Sequence, residues 1–255
     1  MLYETLQTER EGGLMTVRLN RPDRRNAINR QMHADLQDVC RRLADDMETR
    51  VVIFIGAGKG FSSGADTSEW REPGSSNDLE VRHISGVGSR TSAAVEGLDQ
   101  VTIAAIHGFA IGGAVVLAAC CDLRVAGESA WFSIPEVELG LPLGWGALPR
   151  LAREMGHSRA LELTLTCERF DARQAHEYGL VTHLCPDGQE EAAARELAAK
   201  ILTKPALPVA LTKATIRALK RGTEMGDAAY GDPDLLLYSR LMAQRRERLQ
   251  REGRA

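Results

Sequence analysis

The segment 56–64 reads GAGKGFSSG, and its glycines invite comparison with motifs that bind phosphate. A P-loop needs G-x-x-x-x-G-K-[ST], but Lys59 comes only three residues after Gly56 and is followed by Gly60. A dinucleotide fingerprint needs G-x-G-x-x-G, and Phe61 stands where its last glycine should be. Both phosphate-binding motifs are therefore near misses.

The same loop matches G-x-S-x-G, the turn that presents the nucleophile of many serine hydrolases, with Ser62 as the serine. Candidates for the other members of a triad lie further along the chain: Asp122, Asp171, His176 and His183. The context disfavours this interpretation, because such an elbow joins a strand directly to a helix, whereas residues 56–60 intervene here and Pro73 interrupts the segment after the loop. A serine hydrolase is a remote alternative.

A further interpretation takes the glycines as sites of exposed backbone N–H groups. One small-residue turn, Phe61–Asp66, comes after an apolar strand, and a second, Gly108–Gly113, leads from another strand into a helix. Two such turns side by side can aim two N–H groups at one carbonyl oxygen, and a helix N-terminus adds positive potential. The sequence thus predicts an oxyanion hole built without side chains.

The elements that must position these turns alternate between strands and helices. Residues 15–19 alternate apolar and polar side chains, as in a half-buried strand. Asn29 is a predicted N-cap, because apolar residues recur after it at helical spacing as far as Leu43. Val51–Ile55 is a continuous apolar run, typical of a strand covered on both faces. The order strand, helix, strand predicts an α/β fold.

Further along, the pattern predicts one helix over residues 79–98 and a strand over 101–106. It also predicts a buried helix over 112–121 and strands at 122–126, 130–134 and 180–184. The chain becomes mainly helical from Gly146 onward, with a last helix after Pro233. We expect residues 1–198 to form the core and residues 199–255 to form a helical C-terminal region.

The composition excludes several other classes of protein. The chain has 255 residues, a hydrophobic fraction of 44% and a net charge of −3, so it lacks the positive field expected of a nucleic-acid-binding protein. Its longest apolar run has 13 residues, against about 20 for a membrane span. With no apolar signal core near the N-terminus, we expect a cytoplasmic location without membrane attachment.

Cysteine and histidine spacing gives no sign of a metal centre. The five cysteines lack C-x-x-C spacing, and the six histidines include no H-E-x-x-H. Glycine usage is more informative, since fifteen of the 24 glycines lie between residues 56 and 146. That stretch needs bare backbone.

Five ordered segments give the chain a recognisable pattern: RLNRPDRRNAIN, VVIFIGAGKGFSSGAD, AAIHGFAIGGAVVLAACCDLRVAG, FSIPEVELGLPL and LTCERFDARQAHEYGLV. In this order and spacing they resemble the enoyl-CoA hydratase/isomerase (crotonase) family. The resemblance implies a spiral core of ββα turns and a helical C-terminal region that forms trimers or dimers of trimers. It also implies acyl-CoA thioester substrates and no cofactor, since coenzyme A belongs to the substrate.

The resemblance also implies which residues form the site. The backbone N–H groups of Ser63 and Gly113 would hold the thioester oxygen, and the adenosine end of coenzyme A would lie near Arg24–Ala27 and Ser62–Asp66. The implied substrate contacts are Arg24, Ala27, Ser62, Ser63, Gly64, Ala65, Asp66, Gly112, Gly113, Val116, Leu143 and Trp145. Trp145 has two alternative roles: its side chain shapes the acyl pocket, or it only packs in the core.

The catalytic positions distinguish reactions within the family. Its hydratases activate a water with two glutamates; Pro135-Glu136 keeps one, but Val116 occupies the position of the other, and a valine cannot exchange protons. Its Δ3,Δ2-enoyl-CoA isomerases keep only the Pro-Glu glutamate. Glu136 is thus predicted to be the single acid/base of a double-bond isomerase.

Alternatives are an enoyl-CoA hydratase and a non-catalytic acyl-CoA binder. Gly144 replaces the aspartate of the family's dienoyl-CoA isomerases and 3-hydroxyisobutyryl-CoA hydrolases, which disfavours those two activities.

Overall fold

The computed structural model describes residues 3–69 and 78–222, with the backbone alone at 78–81 and 221–222. The strands are β1 (Leu6–Glu11), β2 (Leu14–Leu19), β3 (Val51–Gly56), β4 (Val101–Ile106), β5 (Phe109–Ile111), β6 (Leu123–Gly127), β7 (Trp131–Ser133), β8 (Phe170–Asp171) and β9 (His183–Cys185). The helices are α1 (Arg30–Ala44), α2 (Asp78–Ser85), α3 (Val87–Glu96), α4 (Gly113–Ala119), α5 (Ala147–Met155), α6 (His157–Thr166), α7 (Ala172–Glu177), α8 (Glu190–Leu202) and α9 (Ala206–Gly222).

The strands form two sheets. The larger has the order β1-β2-β3-β4-β6-β9, with all pairs parallel except the antiparallel pair β1-β2. The smaller has the order β5-β7-β8, in which β5 and β7 run parallel. Helices connect the parallel strands, as parallel pairing requires. The predicted α/β class is confirmed.

Strand β3 shows why the large sheet is buried on both faces. Val52 and Phe54 face one hydrophobic cluster, which includes Leu36 of α1. Ile53 faces the opposite cluster, where Ala198 of α8 packs. Every residue of β3 is buried, so the continuous apolar run correctly predicted a strand covered on both sides.

Helix α1 begins where its sequence indicates. The Asn29 side chain accepts a hydrogen bond from the Met32 amide at 2.9 Å, which satisfies one of the free N–H groups of the first turn. Met32, Leu36 and Leu43 are buried along one face. This helix fixes the position of the preceding loop, which borders the candidate site.

The structure differs from the sequence-based prediction at one helix and one strand, and it leaves the predicted division of the chain untested. The predicted single helix over residues 79–98 is wrong, since Gly86 separates α2 from α3; glycine is a poor helix former, and Gly86 and Gly88 lie in the same stretch. The unpredicted β1 is a mostly exposed, charged edge strand that pairs through its backbone. The boundary between residues 198 and 199 falls within α8, so the division into two regions stays a prediction.

The predicted helix after Pro233 and the stretch 72–77 lie outside the described residues. No helix between residues 3 and 69 or between 78 and 222 combines the length and apolar character needed to cross a membrane.

Candidate active site

The two small-residue turns predicted to face each other do so. The Ile111 amide donates to the Ser62 carbonyl at 3.1 Å, which joins the loop after β3 to β5. Gly64 has a φ of +82°, and a Cβ added to it would lie 2.4 Å from the Ile111 carbonyl oxygen and 3.1 Å from the Gly113 nitrogen. Only glycine tolerates both this backbone conformation and this close approach. The loop therefore contacts the N-terminus of α4 directly.

Two of the backbone amides at this junction that make no hydrogen bond to any described residue are candidate donors. One belongs to Gly113, the first residue of α4. The other belongs to Ala65: the Gly64 carbonyl and the Asp66 amide both pair with Ile28, so the Ala65 amide points to the opposite side of the chain. That is the side on which β5 lies. Two unpaired N–H groups on adjacent segments are what an oxyanion hole requires.

The Ser63 amide does not belong to this pair, so the predicted use of Ser63 as a donor is wrong. It donates to the Arg25 carbonyl at 2.9 Å, on the side of the loop that faces away from β5. Arg25 adopts a left-handed conformation, with a φ of 52°, in the turn that brings its carbonyl to Ser63. The Ala65 amide is left unpaired instead and becomes the second candidate donor. Sequence reasoning missed it because the pairing of the loop with Ile28 decides which alternate amides face the site.

Glu136 lies against the second glycine turn. Gly112 has a φ of +54°, and a Cβ added there would be 2.3 Å from Glu136 Oε1. The Gly112 amide donates to the Ser133 carbonyl of β7 at 2.8 Å, three residues before Glu136. Strand β7 therefore holds the carboxyl group beside the Gly112-Gly113 pair.

The environment of Glu136 makes it a usable acid and base near neutral pH. Its Oε2 atom is buried and has no hydrogen-bond partner among the described residues. Burial disfavours the charged carboxylate and raises its pKa to about 7, although a backbone hydrogen bond partly opposes the shift. A carboxyl with such a pKa can take up and release a proton readily at physiological pH.

Val116, Leu143 and Trp145 contribute apolar surface. Val116 is fully buried, one helical turn beyond Gly113 on α4. Leu143 and Trp145 are partly buried and pack against the same cluster. Gly144 has open space around it, since an added Cβ would meet no atom within 4 Å. Because residue 116 is a valine and residue 144 is a glycine, neither position provides a second carboxylate.

The two segments expected near coenzyme A are tied together by an ion pair. Arg21 Nη1 contacts Asp66 Oδ2 at 2.8 Å and also donates to the Ala27 carbonyl. Ala27 is buried, whereas Arg24 is exposed at the end of a short 3₁₀ turn. The Arg24 guanidinium is thus placed at the surface beside the loop that carries Ala65.

The serine-hydrolase interpretation is wrong. Ser62 is fully buried, and its hydroxyl donates to the Asn26 carbonyl at 2.7 Å while accepting from the Gly64 amide at 3.1 Å. A carbonyl oxygen cannot serve as the base that activates a serine. His176 contacts the Val181 carbonyl at 2.9 Å instead. Ser62 thus holds the loop rather than attacking a substrate.

Within the described part of the chain, no three His, Cys, Asp or Glu side chains are grouped as they would be to hold a metal ion. The site is instead built from two free amides, one buried carboxyl group and apolar walls, an arrangement suited to acyl-thioester chemistry through an enolate.

Comparison with known proteins agrees with this class. The family model described as "Enoyl-CoA hydratase/isomerase" matches residues 9–253, and the chain belongs to this family. A short-chain-enoyl-CoA hydratase of Clostridium acetobutylicum is 36% identical over 85% of this chain and 81% of its own. The mitochondrial Delta(3,5)-Delta(2,4)-dienoyl-CoA isomerase of Rattus norvegicus is 35% identical over 85% of this chain and 69% of its own.

Solved structures give the same result. The enoyl-CoA hydratase from Bacillus anthracis has a TM-score of 0.79 and 35% identity, covering 90% of each chain. A monofunctional enoyl-CoA isomerase from M. smegmatis has a TM-score of 0.73 and 30% identity, covering 89% of this chain and 98% of that one. The crotonase-type fold expected from the sequence is confirmed, and hydratases and isomerases both occur among its relatives.

Proposed function

We propose that this protein is an enoyl-CoA isomerase, which moves a double bond of an acyl-CoA thioester from Δ3 to Δ2 with Glu136 as the single acid and base. One observation carries the proposal: a buried carboxyl group, whose Oε2 atom has no hydrogen-bond partner among the described residues, adjoins the Gly112-Gly113 turn, while Val116 stands one helical turn away. The site thus offers one carboxyl group that can carry a proton. An apolar side chain stands where a hydratase would need a second carboxyl group.

The reaction can be written with these groups alone. The thioester oxygen accepts hydrogen bonds from the Ala65 and Gly113 amides, which stabilise the negative charge that develops on it. The Glu136 carboxylate removes a proton from C2, and the C–H electron pair forms the enolate. The enolate electrons then form the C2–C3 double bond. The π electrons of the original C3–C4 double bond take the proton from Glu136 and form the new C4–H bond. The carboxylate is regenerated, and the reaction needs no cofactor beyond the coenzyme A of the substrate.

Hydration of a 2-enoyl thioester is the second candidate, because hydratases are prominent among the similar proteins. It requires a water to be oriented and deprotonated while C2 receives a proton, and two carboxylates share this work efficiently. Val116 disfavours this route. Val116 also motivates a non-catalytic acyl-CoA binder, but such a protein has no need of a buried carboxyl group with a raised pKa.

The test compares a 3-enoyl-CoA with a 2-enoyl-CoA as substrate of the purified protein. We expect isomerisation of the first and little hydration of the second. Rapid hydration without isomerisation contradicts the proposal, and binding without turnover of either indicates the non-catalytic alternative.

Glu136→Gln keeps the shape of the side chain and removes its acid-base function. We expect kcat to fall about 10²–10⁴-fold, the usual contribution of such a group. Glu138→Gln is the matched control, because Glu138 is exposed only two residues away. Equal activity of both variants would mean that Glu136 is not the base.

We also propose that the chain self-associates, as the family resemblance implies. Leu161 and Leu165 lie one turn apart on α6, and Leu207 and Leu211 lie one turn apart on α9; all four are more than half exposed. Paired exposed leucines suit burial against another copy of the chain. Light scattering of the wild type and of Leu211→Glu tests this, with a smaller assembly expected for the variant.

A further inference from the structure

Trp145 adopts a conformation that large side chains rarely accept. Its φ is +62°, in the left-handed region, and Gly146 comes next with a φ of +65°. This conformation is unfavourable for a residue with a Cβ, and it persists only where the surroundings hold it. The backbone between Glu136 and α5 is therefore shaped to place one particular indole ring.

Two glycines make room for this ring. A Cβ added to Gly88 of α3 would lie 2.1 Å from Cδ1 of the indole, and one added to Gly113 would lie 2.5 Å from Cη2. The ring is thus wedged between the N-terminal turns of α3 and α4, in contact with both backbones. No other residue type fits at 88 or 113 without moving the indole.

A third helix, α1, completes the surroundings of the indole, which we call its seat. His33 of α1 stands edge-on to the indole, with ring centroids 4.9 Å apart and planes at 73°. Its Nδ1 atom contacts Thr91 Oγ1 at 2.8 Å. Burial, with a contribution from the charge of Arg90, lowers the pKa of His33 to about 4, so the imidazole is neutral at pH 7 and packs as an uncharged ring.

The position of the indole relative to the reacting atoms is set by the glycine pair. Gly112 contacts the Glu136 carboxyl, and Gly113, whose amide would hold the thioester oxygen, contacts the indole. The carboxyl and the ring therefore flank the place where the acyl group binds. The indole is only partly buried by the described residues, so part of its surface remains accessible.

We propose that Trp145 is the wall that limits the length of the acyl chain, so that the substrates are short apolar enoyl thioesters such as the four-carbon one. This inference rests on the proposed function in taking an acyl-CoA as the ligand. Replacing the indole by a methyl group removes the wall and leaves a cavity. Each further methylene buried there strengthens binding by about fourfold, from about 0.8 kcal/mol per methylene.

The experiment measures kcat/KM for four-carbon and ten-carbon 3-enoyl-CoA substrates. We expect the wild type to prefer the four-carbon substrate, and Trp145→Ala to raise the ratio of ten-carbon to four-carbon kcat/KM by about tenfold or more, mainly through KM. Trp145→Phe keeps an aromatic ring in the seat and is expected to give a smaller increase; it carries the test if the alanine variant does not fold. Trp131→Ala is the control, because this partly buried tryptophan packs against Phe109 and Arg169 instead, and the ratio should not change.

An unchanged ratio in folded Trp145 variants overturns the inference, as does a wild type that handles both chain lengths equally. Calorimetry with butyryl-CoA and decanoyl-CoA separates this outcome from failure of the proposed function. If the wild type turns over no enoyl-CoA but Trp145→Ala gains affinity for decanoyl-CoA alone, the wall is supported and the isomerase proposal fails. If neither saturated thioester binds, the inference is wrong.

Discussion

Glu136→Gln should become more stable relative to wild type as the pH rises, even though it removes the proposed base. In the folded protein, burial raises the pKa of Glu136 from the ordinary value of 4.5 to about 7. The folded state thus holds this proton more tightly than the unfolded state does. The resulting stabilisation is complete below pH 4.5 and is lost as the pH rises through 7.

The size of the effect can be worked out from the two pKa values. Integrating the difference in proton binding, Glu136 lowers the free energy of unfolding of the wild type by roughly 2–3 kcal/mol between pH 5 and pH 8. Glutamine does not titrate, so the variant lacks this contribution. The stability of Glu136→Gln relative to wild type should therefore rise by roughly 2–3 kcal/mol over the same interval, whatever its value at pH 5.

Urea unfolding of both proteins, monitored by circular dichroism at several pH values, measures this difference. The protein concentration must be the same throughout, because self-association adds a concentration-dependent contribution. All other titrating groups are common to both proteins and cancel to a first approximation. Glu138→Gln provides a baseline that should stay flat. A stability difference for Glu136→Gln that does not change between pH 5 and pH 8 would refute the assignment of a raised pKa.

Three further predictions concern other parts of the site and fold. Val116→Glu places a second carboxyl one turn from Gly113 and should raise hydration of a 2-enoyl-CoA at least tenfold over wild type; Val116→Gln should not, and equal hydration by both contradicts the two-carboxylate argument. Ala65→Pro removes the N–H assigned to the oxyanion hole and should lower kcat by at least about 10²–10³-fold, since the ring also restricts Gly64, whereas Ala65→Ser keeps the amide and should stay near wild type. Lys213→Met removes the buried ammonium that contacts Asp122 Oδ2 at 2.6 Å and should lower the free energy of unfolding by about 1–3 kcal/mol, measured by urea unfolding; no change would show that the contact adds nothing to stability.

The sequence predicted the elements whose apolar pattern is strong. Strand β3 is buried on both faces and α1 has a capping asparagine with a regular apolar face, so both can be derived from local rules. The charged edge strand β1 was not predicted, because its place depends on backbone pairing with β2 rather than on its side chains.

The candidate site divides in the same way. Glu136 and Gly113 were identifiable from short motifs, and the structure places them side by side. The candidate donor Ala65, in place of Ser63, could not be identified from the sequence. Its role depends on which edge of the loop pairs with Ile28, which is far away in the sequence. The seat of Trp145 needs Gly88 from another helix, and no local pattern connects those residues.

The proposed oxyanion donors at Ala65 and Gly113 are backbone groups, so most replacements retain the N–H itself, although a side chain at 113 would have to displace the Trp145 indole. At positions 116, 136 and 145, in contrast, a single amino-acid replacement changes the chemical group that the site presents. The proposed thioester polarisation therefore depends on no functional side chain, while proton transfer and acyl selectivity, as proposed, depend on side chains that can vary around it. A lineage carrying this chain has a short mutational route to a new reaction on the same class of substrate.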